Sequence, residues 1–325
     1  MCQYQDLVKA INNYIRKTDD DLEETLDAEG YADAKGTVEE INKLEDGVAD
    51  ALDEQTKTFL DSLSDAAEQS LSLEVFLADK WPELMENDVL ADEIFQLFVD
   101  EFTEMMPNLV NNYLMETDAE LVADQISKRT SAWIESWSEE LSDLMKLNSH
   151  TELEKILQDG LTEGKGISDI TNDLMDGGIR NTRYEARRVA VTETLRAHSY
   201  AKEESLKQSP AVSGKEWVHT GSYRIQPRQN HVDMNGQVVG KDEPFKLIGK
   251  DGGTYYPMCP RDTNLPPGES VNCHCTHRAV VDDKVLGLSL EERKRMQAEI
   301  ISADDEAWEE EQEAENKAKA GIDED

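Results

Sequence analysis

The chain has 325 residues, with 71 acidic against 33 basic side chains and a formal net charge of −38. That length suits two or three domains. A surface this acidic repels free nucleic acid, which excludes a general DNA-coating protein, and no run approaches the roughly 18 apolar residues of a membrane span.

The N-terminus, MCQYQDLVKAINNYIRK, has no apolar h-region and no small-residue cleavage site, so no secretory signal is expected. Two kinds of source fit the acidity. A halophilic host screens such self-repulsion with molar salt, and an ordinary host with an acidic protein fits as well. Lysine is not depleted, at 20 Lys against 13 Arg.

In chain order, residues 1–148 read as a helical, partner-docking region. Tyr4, Leu7, Val8, Ile11, Tyr14 and Ile15 recur at three- and four-residue spacing and form one apolar stripe. After a loop with Gly30 and Gly36, a long amphipathic helix is expected from Thr37 to about Ser70. Further helices are expected over Asp88–Met105 and Asp118–Met145. Pro82 and Pro107 mark breaks, since proline removes a donor and clashes inside a helix. These stripes read as bundle core, with Trp133 and Trp137 on one face.

Residues 149–208 continue in shorter helical pieces. Ser149–Glu152 fits a capping box. Gly160, Gly164 and Gly166 interrupt, and a short helix spans Ser168–Met175. One long helix follows from an Asn181 N-cap to Lys207. At Ser209-Pro210 the pattern changes to a small β-rich, loop-rich unit over 209–285, with extended runs at Lys215–Thr220, Pro244–Ile248, Thr254–Tyr256 and Arg278–Val281. A unit of that size often needs a metal staple. The last part, 286–325, holds a capped helix over Ser289–Ser302 and an acidic tail, expected to be frayed or disordered. The fold class is therefore α+β: mainly helical in the N-terminal two-thirds, with a small β-rich C-terminal domain and an acidic tail.

Three of the four cysteines, Cys259, Cys273 and Cys275, lie close together, which favours a metal or a local structural role over a disulfide scaffold. Cys273-His274-Cys275 places two sulfurs on one side of an extended segment, as a tetrahedral metal needs. With His231 and Cys259 the set would suit structural Zn2+. The other reading is two reduced, buried cysteines. Arg228-x-x-His231 precedes Asn235-Gly236, a tight-turn signal. Seven of the 13 arginines fall between Arg180 and Arg228. Arg180, Arg183, Arg187, Arg188 and Arg196 form a positive island that reads as a contact for an acidic partner or DNA, or as intramolecular ion pairing.

In order, these elements resemble the phage head morphogenesis family, the Mu protein F-like minor head proteins of tailed viruses. The resemblance runs from about Arg187 to Val281. It is carried by Thr192, Glu193 and Thr194 on a helix, Trp217, Arg228 and His231, Asn235, Gly236, Gln237 and Val238 at a turn, Glu243, Pro244 and Phe245, then Asn272, Cys273 and Cys275. Val191, Asn235 and His274 depart from the family pattern, and Cys259 is an addition to it. The resemblance implies a low-copy head protein in the virion, with no membrane role, assembled in the host cytoplasm with the portal and with major capsid or scaffold proteins. It would act in head assembly or genome delivery rather than as an enzyme. A zinc-dependent hydrolase or nuclease is the alternative, with Glu193 as general base beside His231, Cys273 and Cys275.

Overall fold

The computed structural model describes residues 22–179, 181–220 and 227–320, apart from the side chains of 176 and 177. The stripe from Tyr4 to Ile15, Cys2, Arg180, Arg224 and the last five acidic-tail residues lie outside the described residues. The α+β expectation holds: long helices come first and a small strand-containing region follows. Among the described residues, no helix is long and apolar enough to cross a membrane.

The elements are α1 (Leu22–Ala28), α2 (Ala34–Glu68), α3 (Leu73–Val75), α4 (Trp81–Glu86), α5 (Leu90–Thr117), α6 (Lys128–Thr162), α7 (Ile167–Gly177) and α8 (Thr182–Gln208). Then come β1 (Val212–Val218), α9 (Gln229–Asp233), β2 (Val238–Gly240), β3 (Leu247–Ile248), β4 (Thr254–Tyr255), α10 (Pro267–Ser270), β5 (Thr276–Val281), α11 (Asp283–Leu286) and α12 (Leu290–Lys319). The chain divides into two compact units. One comprises 1–22, 38–101 and 136–190; the other comprises 23–37, 102–135 and 191–325.

In the first unit, Phe59, Leu63, Phe76, Trp81, Leu153, Leu157, Ile170 and Leu174 form one buried cluster. Phe59 and Trp81 meet edge to face at 5.9 Å. A π-helical turn over Phe76–Lys80 joins α3 to α4, and the Trp81 N–H reaches back to the Phe76 carbonyl. Pro82 follows directly in the first turn of α4, where its missing donor does least harm. The capping box read at Ser149–Glu152 is corrected. Ser149 lies inside α6, which runs unbroken through residues 148 and 149, and its hydroxyl donates to Gln55. Gly160 is also helical, not an interruption. A Cβ there would lie 2.4 Å from Ile170 Cδ1, so the glycine lets Ile170 seat against the helix. The chain turns instead at Gly164, with φ +71.

In the second unit, Pro107 sits inside α5 rather than ending it. Phe102, Met105, Met106, Val110, Tyr113 and Leu114 are all buried around it. Burial at about 1.5–3 kcal/mol per large side chain outweighs the roughly 3 kcal/mol that an internal proline costs. The helix expected at Asp118 starts only at Lys128. Asn111 prevents the earlier start: its amide accepts from the Ala123 N–H at 2.8 Å and donates to the Ala123 carbonyl at 3.1 Å, holding 118–127 as a loop. Ser127 then caps α6, accepting from the Thr130 N–H, while Glu204 accepts from the Ser127 N–H, the Ser127 hydroxyl and the Thr130 hydroxyl.

The capping box at Ser289 and Glu292 forms as expected. The tail does not fray at Ser302: α12 continues to Lys319. Lys128 and Arg129 pair with Glu309 and Glu311, and Arg293 pairs with Asp118 and Glu120, both at 2.7 Å. Two of these cations come from α6, so the acidic run has partners distant in sequence.

The sheet is antiparallel in the order β2-β1-β5, with a separate β3-β4 hairpin. Val238–Gly240 was not expected as a strand. Gly214 in β1 admits it closely: a Cβ there would meet the Val239 carbonyl oxygen at 2.7 Å. Behind β1, Lys215 and Glu203 form a fully buried pair at 2.6 Å, and His277 lies 3.3 Å from the other Glu203 oxygen.

His198 on α8 is buried between the Tyr113 hydroxyl at 2.7 Å and the Thr37 hydroxyl at 3.0 Å. Burial, helped by the Arg261 and Lys202 charges, pushes its pKa down to about 3. An unfolded histidine titrates near 6.5. The unfolded chain therefore binds this proton first, and the stability His198 contributes is complete above about pH 6.5 and lost as pH falls toward 3. Between pH 7 and 5 the loss is about 2 kcal/mol. Urea unfolding at the two pH values should show a smaller acid loss in His198→Gln than in wild type by that amount.

Candidate metal centre

The small domain brings four separated segments together through its turns. β1 ends at Val218, and the His219 N–H donates to the Asn235 side-chain oxygen at 2.8 Å. Asn235-Gly236 is the tight turn that the sequence announced. Gly236 takes φ +82, and its N–H donates to the Trp217 carbonyl at 2.9 Å. The one-turn helix α9 carries His231. Asn272 adopts a left-handed φ of +53, tolerable for asparagine, and sets Cys273 and Cys275 facing inward.

His231 Nδ1 lies 3.5 Å from Cys273 Sγ and 3.6 Å from Cys275 Sγ. The ligand atoms of His231, Cys273 and Cys275 all fall within 4.8 Å of one another, and all three residues are buried. His219 Nδ1 stands 3.5 Å from Cys275 Sγ. The far side of the His231 ring is fixed, because Nε2 lies 2.9 Å from a Glu269 carboxylate oxygen. Glu269 also accepts from the Asn230 amide and the Lys250 N–H. Burial opposes its charge, but these hydrogen bonds hold its carboxyl below the usual range.

The two thiols behave as a pair. A hydrogen bond from Cys275, together with His231 and the Arg261 charge, holds Cys273 well below the usual thiol range despite burial, while Cys275 is pushed up as the proton's holder. A half-open cleft of about 250 Å³ borders the cluster, lined by His219, Arg228, His231, Lys250, Cys273 and Cys275 among others. Trp217 packs edge to face on His231 at 6.1 Å and on Phe245 at 5.2 Å. With Met234, Leu247, Leu265 and the two cysteines these aromatics form the domain core.

Arg261 ties the cluster to α8. It is 1% exposed. Its guanidinium donates to the carbonyls of Leu195, Cys273 and Cys275 and to the Ser199 hydroxyl. The α1–α2 connection covers the same segment. The Tyr31 hydroxyl donates to the His274 and Cys275 carbonyls, and Glu29 meets His274 Nδ1 at 2.8 Å.

Several sequence expectations need correction. Cys259 is not in the cluster. It is a fully buried thiol near Asp262, Glu203 and Lys215, raised by burial and by those carboxylates. Glu193 is 4% exposed, paired with Arg196 at 2.7 Å, and does not line the cleft beside His231. Thr192 and Thr194 are buried on either side of it. Arg228 donates to the Val271 carbonyl beside the cleft.

The arginine island is engaged within the chain. Arg183 pairs with Asp46, Arg187 with Glu45 at 3.1 Å and with Asn42, and Arg196 is buried. Arg183 and Arg188 are the exposed members of this group among the described residues. His219, Glu269 and Arg261 were missed. The one sequence signal for His219 is its spacing of twelve from His231, upstream of Cys-x-Cys.

The family described as phage Mu protein F like protein matches residues 151–278, which hold the whole cluster. The chain is also 36% identical over 307 residues to the uncharacterized protein YqbB of Bacillus subtilis (strain 168), covering 91% of this chain and 97% of that protein. No solved structure matches it significantly.

Arg261→Met keeps the volume and removes the fork. It strands the buried Cys273 carbonyl, an unsatisfied group costing about 1–3 kcal/mol, while the Leu195 and Cys275 carbonyls keep the Ser199 and Tyr31 hydroxyls. Urea unfolding should show a loss of about 1–3 kcal/mol. Arg261→Lys should not restore it, because an ammonium cannot span the same acceptors.

Proposed function

Because the chain belongs to the phage Mu protein F-like family, we propose that it is a minor head protein of a tailed virus, bound near the portal and acting in head assembly or genome delivery. The observation that supports this is the convergence of the family motif. Trp217, Phe245, Cys273 and Cys275 lie scattered in sequence, yet they build one core inside the matched region, with His231 packed edge to face on Trp217. These residues make a scaffold rather than a reaction centre. The partners of this reading are the portal protein and the major capsid or scaffold proteins.

The amphipathic helices supply the docking surface, with apolar positions for groove contacts and acidic faces that oppose wrong partners. Packaged DNA is a lesser partner. Arg183, Arg187 and Arg196 already face carboxylates of the chain, so the acidic surface stays off the duplex. A zinc-dependent hydrolase is the second reading, kept for the cleft that borders His219 and His231.

Removing residues 1–150 is a poor test, since Glu29 and Tyr31 cover the Cys-x-Cys segment. The full chain should instead be co-expressed with the portal protein of the same virus. Co-elution on size exclusion, and a few copies per purified particle by mass spectrometry, are expected. Normal, DNA-filled heads lacking the protein, with no co-elution, would overturn the reading. Turnover of DNA or peptide abolished by His231→Ala would favour the hydrolase.

A further inference from the structure

We propose that this chain carries a closed, structural zinc site whose four ligands are His219, His231, Cys273 and Cys275. The site is independent of the head-protein reading, and its fourth ligand is His219 rather than Cys259.

The distances fit three corners of a tetrahedron, with His219 beside the fourth. With Zn–S near 2.3 Å and Zn–N near 2.05 Å, a tetrahedral angle places sulfur and nitrogen about 3.6 Å apart. Of the four sulfur–nitrogen edges such a site has, His231 supplies two, at 3.5 and 3.6 Å, and His219 supplies one, at 3.5 Å from Cys275. His219 lies outside the group that is mutually within 4.8 Å and must swing toward Cys273 to close the set. Two tetrahedral sulfurs stand about 3.8 Å apart, inside the 4.8 Å that encloses all three buried ligand atoms.

Hydrogen bonding alone uses only one of the two sulfur contacts of His231 Nδ1. Glu269 takes the Nε2 side of His231, which leaves the Nδ1 lone pair facing inward. One lone pair meets two sulfurs, and it accepts a single thiol proton at most. A divalent cation satisfies Nδ1 and both sulfurs together. The carboxylate–histidine contact is the arrangement that orients metal-bound imidazoles. Two sulfurs with two imidazoles select zinc among the common divalent ions.

His219 decides between structural and catalytic use. It stands on the cleft side of Cys275, where a catalytic zinc would hold water. Asn235 fixes its backbone through the turn that also holds Trp217, so the ligand is placed by the fold.

Elemental analysis of the purified full-length chain, produced with zinc supplied, should give about one zinc per chain. Zinc-edge X-ray absorption of the wild-type protein should count two sulfurs and two imidazoles, a readout that needs no variant. Two sulfurs, one imidazole and one oxygen would overturn the closed site, and absence of zinc would overturn the site altogether. Glu269→Gln should weaken zinc retention against a chelator by about 10–100-fold. Cys259→Ser should leave the stoichiometry unchanged, and loss of zinc in that variant would overturn the ligand assignment.

Discussion

The guanidinium of Arg261 holds three backbone carbonyls and a hydroxyl in a place that water does not reach. A buried cation is costly unless every donor finds an acceptor. Here the fork's fixed geometry does the matching. It fixes the Cys-x-Cys carbonyls against the middle of α8, and the thiols, His231 and Trp217 stack outward from that point. Arg196 adds a second layer by donating to the Arg261 carbonyl while it pairs with Glu193. The helix motif and the cysteine motif are thus joined by hydrogen bonds through a residue that belongs to neither.

The chain's charge is organised in the same way. A net −38 suggests carboxylates waiting for salt or a partner. Yet Glu203, Glu204, Asp118 and Glu269 are buried, and each is paired with groups from distant segments. The acidic run on α12 meets Lys128 and Arg129. Among the described residues, Arg183, Arg187, Arg196 and Arg293 already have carboxylate partners. The net negative charge sets solubility and approach rates and leaves the fold to other forces.

Helix existence was legible in the sequence wherever the apolar stripe was long, and the Asn181, Ser289 and Asn235-Gly236 signals placed real caps and a real turn. Boundaries failed where a distant side chain decided them. Asn111 withholds residues 118–127 from a helix, burial carries α5 past Pro107, and Ile170 takes the space that Gly160 leaves. The motif residues His231, Cys273 and Cys275 were legible because Cys-x-Cys has a local geometry. Arg261 was not, since an arginine in a Pro-Arg-Asp turn reads as surface until the helix that buries it is known. Cys259 was misplaced for a related reason: nearness in sequence says little once a one-turn helix and two turns intervene.

Tyr31 reaches the carbonyl of a residue 244 positions later. At a synthesis rate of about 5–20 residues per second, the two are made roughly 10–50 seconds apart. Throughout that interval the early segment has no lid to become. Its aromatic ring and the carboxylate of Glu29 must wait, in the company of whatever chaperone or neighbour is at hand. Closure across so long a loop also slows the final docking step. A nascent or prematurely terminated chain would therefore be recognisable by its accessible tyrosine long before any loss of helix content could be seen.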